Sequence, residues 1–187
     1  MSDPETRAYV HAQTMDLLTK LDTTLKSTLL EDLSKSNLLT GSTRIVLGNV
    51  DFRRVDLRLS NLPEADLREI NLAEAKLEGA MLSKVNLYKA TLRKSNLSSA
   101  RLQEANLEQA DLTEAVLNEA KLRGANLSKA VLKNANLSHA NLQGANLQGA
   151  NLREANLEGA ALKETDLRGA DLTGAIVTVE QLQEAKR

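Results

Sequence analysis

Ala125-Asn126-Leu127-Ser128-Lys129 and Ala145-Asn146-Leu147-Gln148-Gly149 show the unit from which most of this chain is built: a small residue, Asn or Asp, Leu, then two polar residues. Outward from these runs, an apolar residue falls on every fifth position from Leu47 to Val177, through 27 consecutive pentads. On an α-helix a step of five turns the side chain by about 140°, which scatters the leucines around the cylinder and rules out an amphipathic helix. In an extended chain residues two apart share a face, so the small residue and the Leu of one pentad both point inward. From that Leu to the next small residue is an odd step of three. A chain that keeps every pair inside therefore bends at a corner once per pentad and closes into a coil.

The number of pentads per coil is not set by the period, but charge offers a guide. Residues 104 to 119 carry Glu104, Glu108, Asp111, Glu114 and Glu119 with no base, whereas 80 to 103 carry Lys84, Lys89, Arg93, Lys94 and Arg101 with no acid. At a spacing of twenty the second polar position reads Glu64, Lys84, Glu104 and Glu74, Lys94, Glu114. Opposed cross-strand charges of this kind are worth roughly 0.2–1 kcal/mol each. A four-sided coil fits these columns, although other spacings also bring some acids beside bases.

The repeat resembles that of the pentapeptide repeat proteins, A(D/N)LXX, over residues 45–179. The resemblance implies an all-β solenoid, a right-handed quadrilateral parallel β-helix. Here it would have nearly seven coils and a length of ~30 Å at the usual strand spacing. The small inward residue is Ala throughout 100–160, while Ile45, Val50, Val55, Ile70, Val85 and the aromatic centre Phe52 predict a wider interior near the start. The residue before the centre is Asn or Asp in 17 of 27 pentads, suited to bonding nearby backbone and holding the corner. Seven of the nine glycines fall at the second polar position and crowd toward the C-terminal half, which predicts more type II corners there.

Residues 1–44 break the period and read as an N-terminal α-helical cap with a connecting loop. Asp3-Pro4 suits a helix start, Leu18, Leu21, Leu25 and Leu29 recur at helical spacing, and Thr28 with Glu31 has the form of a capping box opening a second helix. One long helix and a helical pair both fit. Ser36-Asn37-Leu38 resembles a pentad shifted by one, and residues 40–43 read as the loop. Two uses stand open: an apolar face covering the open edge of the first coil, or a helix for partner binding or dimerisation. At the other end Thr178 and Gln181 form a second capping-box pattern. A short helix from about 179 to 185, within a tail of 180–187, would turn Val179 and Leu182 back onto the last coil. The charged tail Glu184–Arg187 argues against dimerisation there.

No enzyme is expected. There is no cysteine, the glycines come singly, and His11 and His139 have no neighbours at ligand or triad spacing, so no cofactor or metal is implied. The absence of a long apolar run or a leader-like start gives the expectation of a cytoplasmic protein away from membranes. Two outward features are candidates. The first is the basic belt of Lys84, Lys89, Arg93, Lys94 and Arg101 with Tyr88 beside it, whose competing reading is a solvated ring stabilised by the acidic belts. The second is the gathering of Arg44, Arg53, Arg54 and Arg58 near Leu59, a leucine expected to lie beneath the leading helix. Met81, Val116 and Val131 replace Asn or Asp singly and need no function. The function expected is a non-catalytic protein-binding scaffold or regulator, as a monomer or a dimer through the N-terminal segment. The alternative is a DNA mimic acting on a type II topoisomerase such as gyrase. That alternative is disfavoured by a net charge of −1, and nucleic-acid binding by the lack of a basic stripe with aromatics.

Overall fold

The computed structural model describes residues 20–40, 47 and 50–186. The expected helix start at Asp3-Pro4, His11, Leu18, most of the 40–43 loop, Arg44 and Ile45 lie outside them. From Asp51 onward the residue before each centre forms a single parallel bridge with the residue twenty positions later, beginning Asp51↔Asn71, Asp56↔Lys76, Asn61↔Met81 and Asp66↔Asn86. Four pentads therefore close one coil. Its sides are called here one to four, starting at Asp51, Asp56, Asn61 and Asp66. Each side is one bridge per coil, too short to count as a strand.

The ladder has a fixed pattern. The N–H of Leu127 donates to the Asn146 carbonyl at 2.7 Å, and the N–H of Asn126 donates to the Ala105 carbonyl at 2.9 Å. Between them the two inward residues of each pentad are sealed from water: Leu102 through Leu162 and the alanines from Ala100 to Ala155 are at most 1% exposed. Val50, Phe52, Val55, Ile70 and Val85 are buried too. Of the hydroxyls that replace Ala inside, Ser95 donates to the Leu92 carbonyl and Thr165 to the Leu142 carbonyl, each at 2.7 Å, whereas the Ser60 hydroxyl has no partner among the described residues.

The corners correct one expectation. A positive φ occurs at the second polar position of every pentad from Arg54 to Gly174, whether the residue is Gly, Lys, Glu, Gln, Asn, Ser, His or Leu. Glycine does not mark a different corner; both halves of the coil turn in the same way. Each corner is a reverse turn closed by a bond such as Ala130 N–H to Leu127 carbonyl, 3.0 Å. Where Asn or Asp precedes the centre, its side-chain oxygen also holds the corner by accepting the N–H two residues on, as Asn126 does from Ser128 at 3.1 Å and Asp166 from Arg168 at 3.1 Å. Asn61 departs from this pattern because the residue two on is Pro63, which has no N–H to give. On side four the amides also stack, Asn106, Asn126 and Asn146 each donating to the Asn one coil below at 3.1, 3.4 and 3.3 Å.

The helix α1, Thr23–Lys35, lies over the first coil. It starts after Asp22, whose carboxylate accepts the Leu25 N–H at 2.8 Å. Lys20 is helical, Leu21 and Asp22 are not, and the Asp22 cap falls six residues before the capping box expected at Thr28. Thr28 lies inside α1 and donates to the Thr24 carbonyl instead. Leu30 is fully buried, and Leu21, Leu29 and Leu33 pack beside it. Polar atoms of α1 meet carbonyls of the first coil that have no coil below them. Lys26, only 7% exposed, donates to the Asp51 carbonyl at 2.7 Å with its ammonium 6.0 Å from the Phe52 ring centre, and Ser34 donates to the Asn61 carbonyl at 3.1 Å. Leu39 is the residue that enters the core, at 0% exposed, with its carbonyl accepting the Asp66 N–H; Leu38, expected at the centre, is 37% exposed.

The last coil is closed by α2, Val179–Glu184, with the Thr178–Gln181 capping box formed. Gln181 also donates to the Leu157 and Ala160 carbonyls at 2.8 and 2.7 Å. Leu182 packs on the core, but Val179 is 64% exposed because it opens the helix on its outer side, and Ile176 beside it is 58% exposed. Beyond α2 the chain rejoins the ladder as Asp166↔Lys186. No described helix is long and apolar enough to cross a membrane.

Two substitutions check this geometry by urea unfolding. Gly144→Ala, where a methyl meets nothing within 4 Å but φ is +67°, should cost about 1 kcal/mol from the backbone alone. Gly159→Ala should cost more, because its methyl would lie 2.5 Å from His139 Nδ1, and the excess should vanish in a His139→Ala background. Separately, Lys26→Met keeps the aliphatic stem but removes the donor to Asp51, and should cost about 1–3 kcal/mol.

Candidate interaction surface

The outward residues are positioned by the same pentad. The residue before the centre and the first polar residue lie along a side, and the second polar residue lies at a corner; all three stack on their counterparts twenty residues away. The belt named from sequence is thereby spread around the rod, with Arg93 and Lys94 on side one, Lys84 and Arg101 on side three, and Tyr88 and Lys89 on side four. Most of its charges are answered. Lys84 lies 3.8 Å from Glu64, Lys94 lies 3.5 Å from Glu114, and Arg93 lies 3.1 Å from Asp111. The columns of opposite charge at a spacing of twenty are thus present. Lys89 folds over the Tyr88 ring, 5.1 Å from its centre. Arg101 makes no ion pair with any described residue.

The N-terminal arginines are answered as well. Arg53 grips both oxygens of Asp51 and Arg58 those of Asp56, each at 2.6–3.0 Å through its side chain, while Arg54 reaches up one coil to Glu74 at 2.8 Å. Leu59 is not beneath α1. It is 76% exposed at a side-two corner and lies over Gly79, where a Cβ would come within 2.8 Å of Leu59 Cδ2. Asp56, Arg58, Leu59, Glu78, Gly79, Ser98 and Ser99 line an open groove of about 570 Å³ on this side. In it Glu78 accepts from Asn96 at 2.7 Å through one oxygen, while the other is buried with no partner among the described residues. Glu78 was invisible from sequence, since nothing in one pentad marks a corner where Leu lies over Gly.

These pairs shift the carboxylates. The Arg168 guanidinium and N–H hold Asp166 down at about 2, Arg53 and Arg58 lower Asp51 and Asp56, and Arg54 lowers Glu74. At Asp111 burial pushes upward, but hydrogen bonds from Thr113 and Arg93 outweigh it and the net shift is down. No cluster of His, Asp or Glu that could hold a metal ion occurs among the described residues, and His139 is an exposed corner residue.

The family model for pentapeptide repeats matches residues 43–178 in overlapping segments. The chain belongs to the pentapeptide repeat family. Among curated proteins no sequence matches it significantly. Among solved structures this pentapeptide repeat protein resembles a trypsin-treated form of QnrB1, a plasmid-mediated fluoroquinolone resistance protein, at 23% identity and a TM-score of 0.55. The match covers 73% of this chain but only 66% of QnrB1, and it bears on the fold alone. HetL, a pentapeptide repeat protein involved in heterocyst differentiation regulation from the cyanobacterium Nostoc sp. strain PCC 7120, is 32% identical over 75% of this chain and 82% of its own, with a TM-score of 0.34. A pentapeptide repeat protein from the Arabidopsis thaliana thylakoid lumen is 33% identical over 57% and 67%, with a TM-score of 0.39.

The lowered carboxylates fix a pH dependence. Each lies lower when folded than unfolded, so its contribution to stability is present above about pH 4 and is lost as pH falls toward 2. The urea midpoint should hold steady above about pH 5 and drop between pH 4 and 2, and Asp166→Asn should make that drop shallower.

Proposed function

We propose that the protein is a non-catalytic scaffold or regulator that binds another protein through the rigid sides of its coil, which we take to be right-handed. The observation that supports this most is the state of the outward charges. Aspartates and arginines within a pentad, and glutamates with lysines or arginines one coil apart, form ion pairs on every side of the coil. That leaves a stiff, nearly neutral surface with a fixed pattern of side chains, suited to recognising a complementary protein surface. It lacks the continuous acidic field that a DNA mimic needs. The basic belt and the N-terminal arginines remain candidates within this reading, the latter through Leu59 and its groove. Ordered positions cost little entropy on binding, which favours recognition by a repeat scaffold.

The full chain, tagged and used as bait in extract of its native cells with nuclease present, tests the reading. The expected result is enrichment of a protein that then binds the purified chain at a fixed stoichiometry. Enrichment of type II topoisomerase subunits would overturn it in favour of the mimic, and capture abolished by nuclease would overturn it in favour of nucleic acid.

A further inference from the structure

Side three differs from the other three. All six aspartates of the coils, Asp51, Asp56, Asp66, Asp111, Asp166 and Asp171, lie on sides one, two and four, where each is placed to meet an arginine or a corner N–H. On side three the corresponding column reads Asn61, Met81, Arg101, Lys121, Asn141, Ala161. Arg101 and Lys121 are direct bridge partners, so two like charges stand opposite each other ~4.8 Å apart along the backbone. Such a pair is destabilising, the reverse of what the ladder does elsewhere. Arg123 projects from the same side two residues beyond Lys121, and all three side chains are exposed. None of the three makes an ion pair with a described residue. The side-three corners read Glu104, Gly124 and Gly144, so Glu104 stands beside Arg101 while the corners level with and above Lys121 and Arg123 carry no side chain.

Among the described bridges Asp56–Lys76 and Asp166–Lys186 join opposite charges and Arg101–Lys121 alone joins like ones, a local conflict of the kind that marks a binding surface. We infer that side three, centred on Arg101, Lys121 and Arg123, is the docking face for an acidic polypeptide segment lying along the rod axis. This rests on the protein-binding reading above. Charge complementarity names the occupant: carboxylates spaced along an extended segment answer cations spaced along the ladder. A nucleic acid fits less well, because no aromatic side chain stands on this side to stack a base and the chain's net charge is −1.

Fluorescence anisotropy with a fluorescein-labelled sixteen-residue peptide of alternating Glu and Gly, and with a labelled dT16 oligonucleotide, tests this at 50 mM salt. The peptide should bind the full chain, more tightly than dT16, and lose affinity as salt rises. Lys121→Glu with Arg123→Glu should weaken binding at least tenfold. Lys129→Glu with Lys133→Glu, on sides four and one, changes net charge equally and should leave it within about twofold. Lys121→Glu alone should raise the thermal midpoint, since it replaces a like-charge stack by an opposite one, and this readout shows that lost binding is not lost folding. No binding of the peptide, tighter binding of dT16, equal weakening by both double variants, or an unchanged or lowered midpoint would overturn the assignment. If a cellular partner is captured by the bait but its capture survives Lys121→Glu with Arg123→Glu, the scaffold reading stands and side three is not its docking face.

Discussion

In a pentad such as 126–130 three backbone N–H groups are given to neighbouring coils, those of the leucine and the corner residue to carbonyls nineteen residues ahead and that of the residue before the leucine to a carbonyl twenty-one residues behind, and between these bonds the leucine and its small partner are sealed inside. Buried backbone groups left unpaired would cost free energy comparable to a lost hydrogen bond, so the return after twenty residues is obligatory once the leucines go in. Everything else follows from it. The columns of stacked side chains, the identical corners, and the need for a lid at each end are consequences of a ladder that runs along the rod axis and is open at its first and last coil.

The lids show how specific that need is. At the start, a lysine and a serine from α1 donate to carbonyls that would otherwise meet a preceding coil, and Leu39 supplies both an apolar side chain and a carbonyl. At the finish, Gln181 reaches two carbonyls and Lys186 re-enters the ladder twenty residues after Asp166. A nearly buried lysine is tolerated at Lys26 because its ammonium meets a carbonyl and faces an aromatic ring.

The inward positions were legible in the sequence because burial leaves them so few choices: Leu at the centre, Ala where a second side chain must share the layer. The turn-holding role of Asn and Asp was legible for the same reason, since few side chains are short enough to accept an N–H two residues away. The corner conformation was not. A left-handed residue costs on the order of 1–2 kcal/mol unless it is glycine. The closing turn and the ladder bonds overdetermine each corner, with a side-chain bond added where Asn or Asp precedes as at Asn126, so Lys129 and Glu119 adopt it as Gly124 does. Leu38 and Leu39 could not be separated either, because once the period is broken neither neighbour is marked as inward. Of the surface, the paired columns Glu64–Lys84 and Lys94–Glu114 were readable at a spacing of twenty. The like-charged column Arg101–Lys121 is readable only by asking which columns fail to alternate.

A four-sided coil makes one demand that no other closure shares: residues twenty apart must be direct neighbours. The chain has no cysteine, so paired substitutions can be read without background. Bridge partners at the usual spacing lie within the Cα separation that a disulfide accepts, and positions fifteen or twenty-five apart fall on different sides of the coil. The decisive measurement is the rate of oxidative cross-linking in Asn106→Cys paired in turn with Lys121→Cys, Asn126→Cys and Val131→Cys. Fast closure for Asn126→Cys alone is the predicted result. Equal or faster closure with Lys121→Cys or Val131→Cys would contradict the four-pentad coil and every column assignment built upon it.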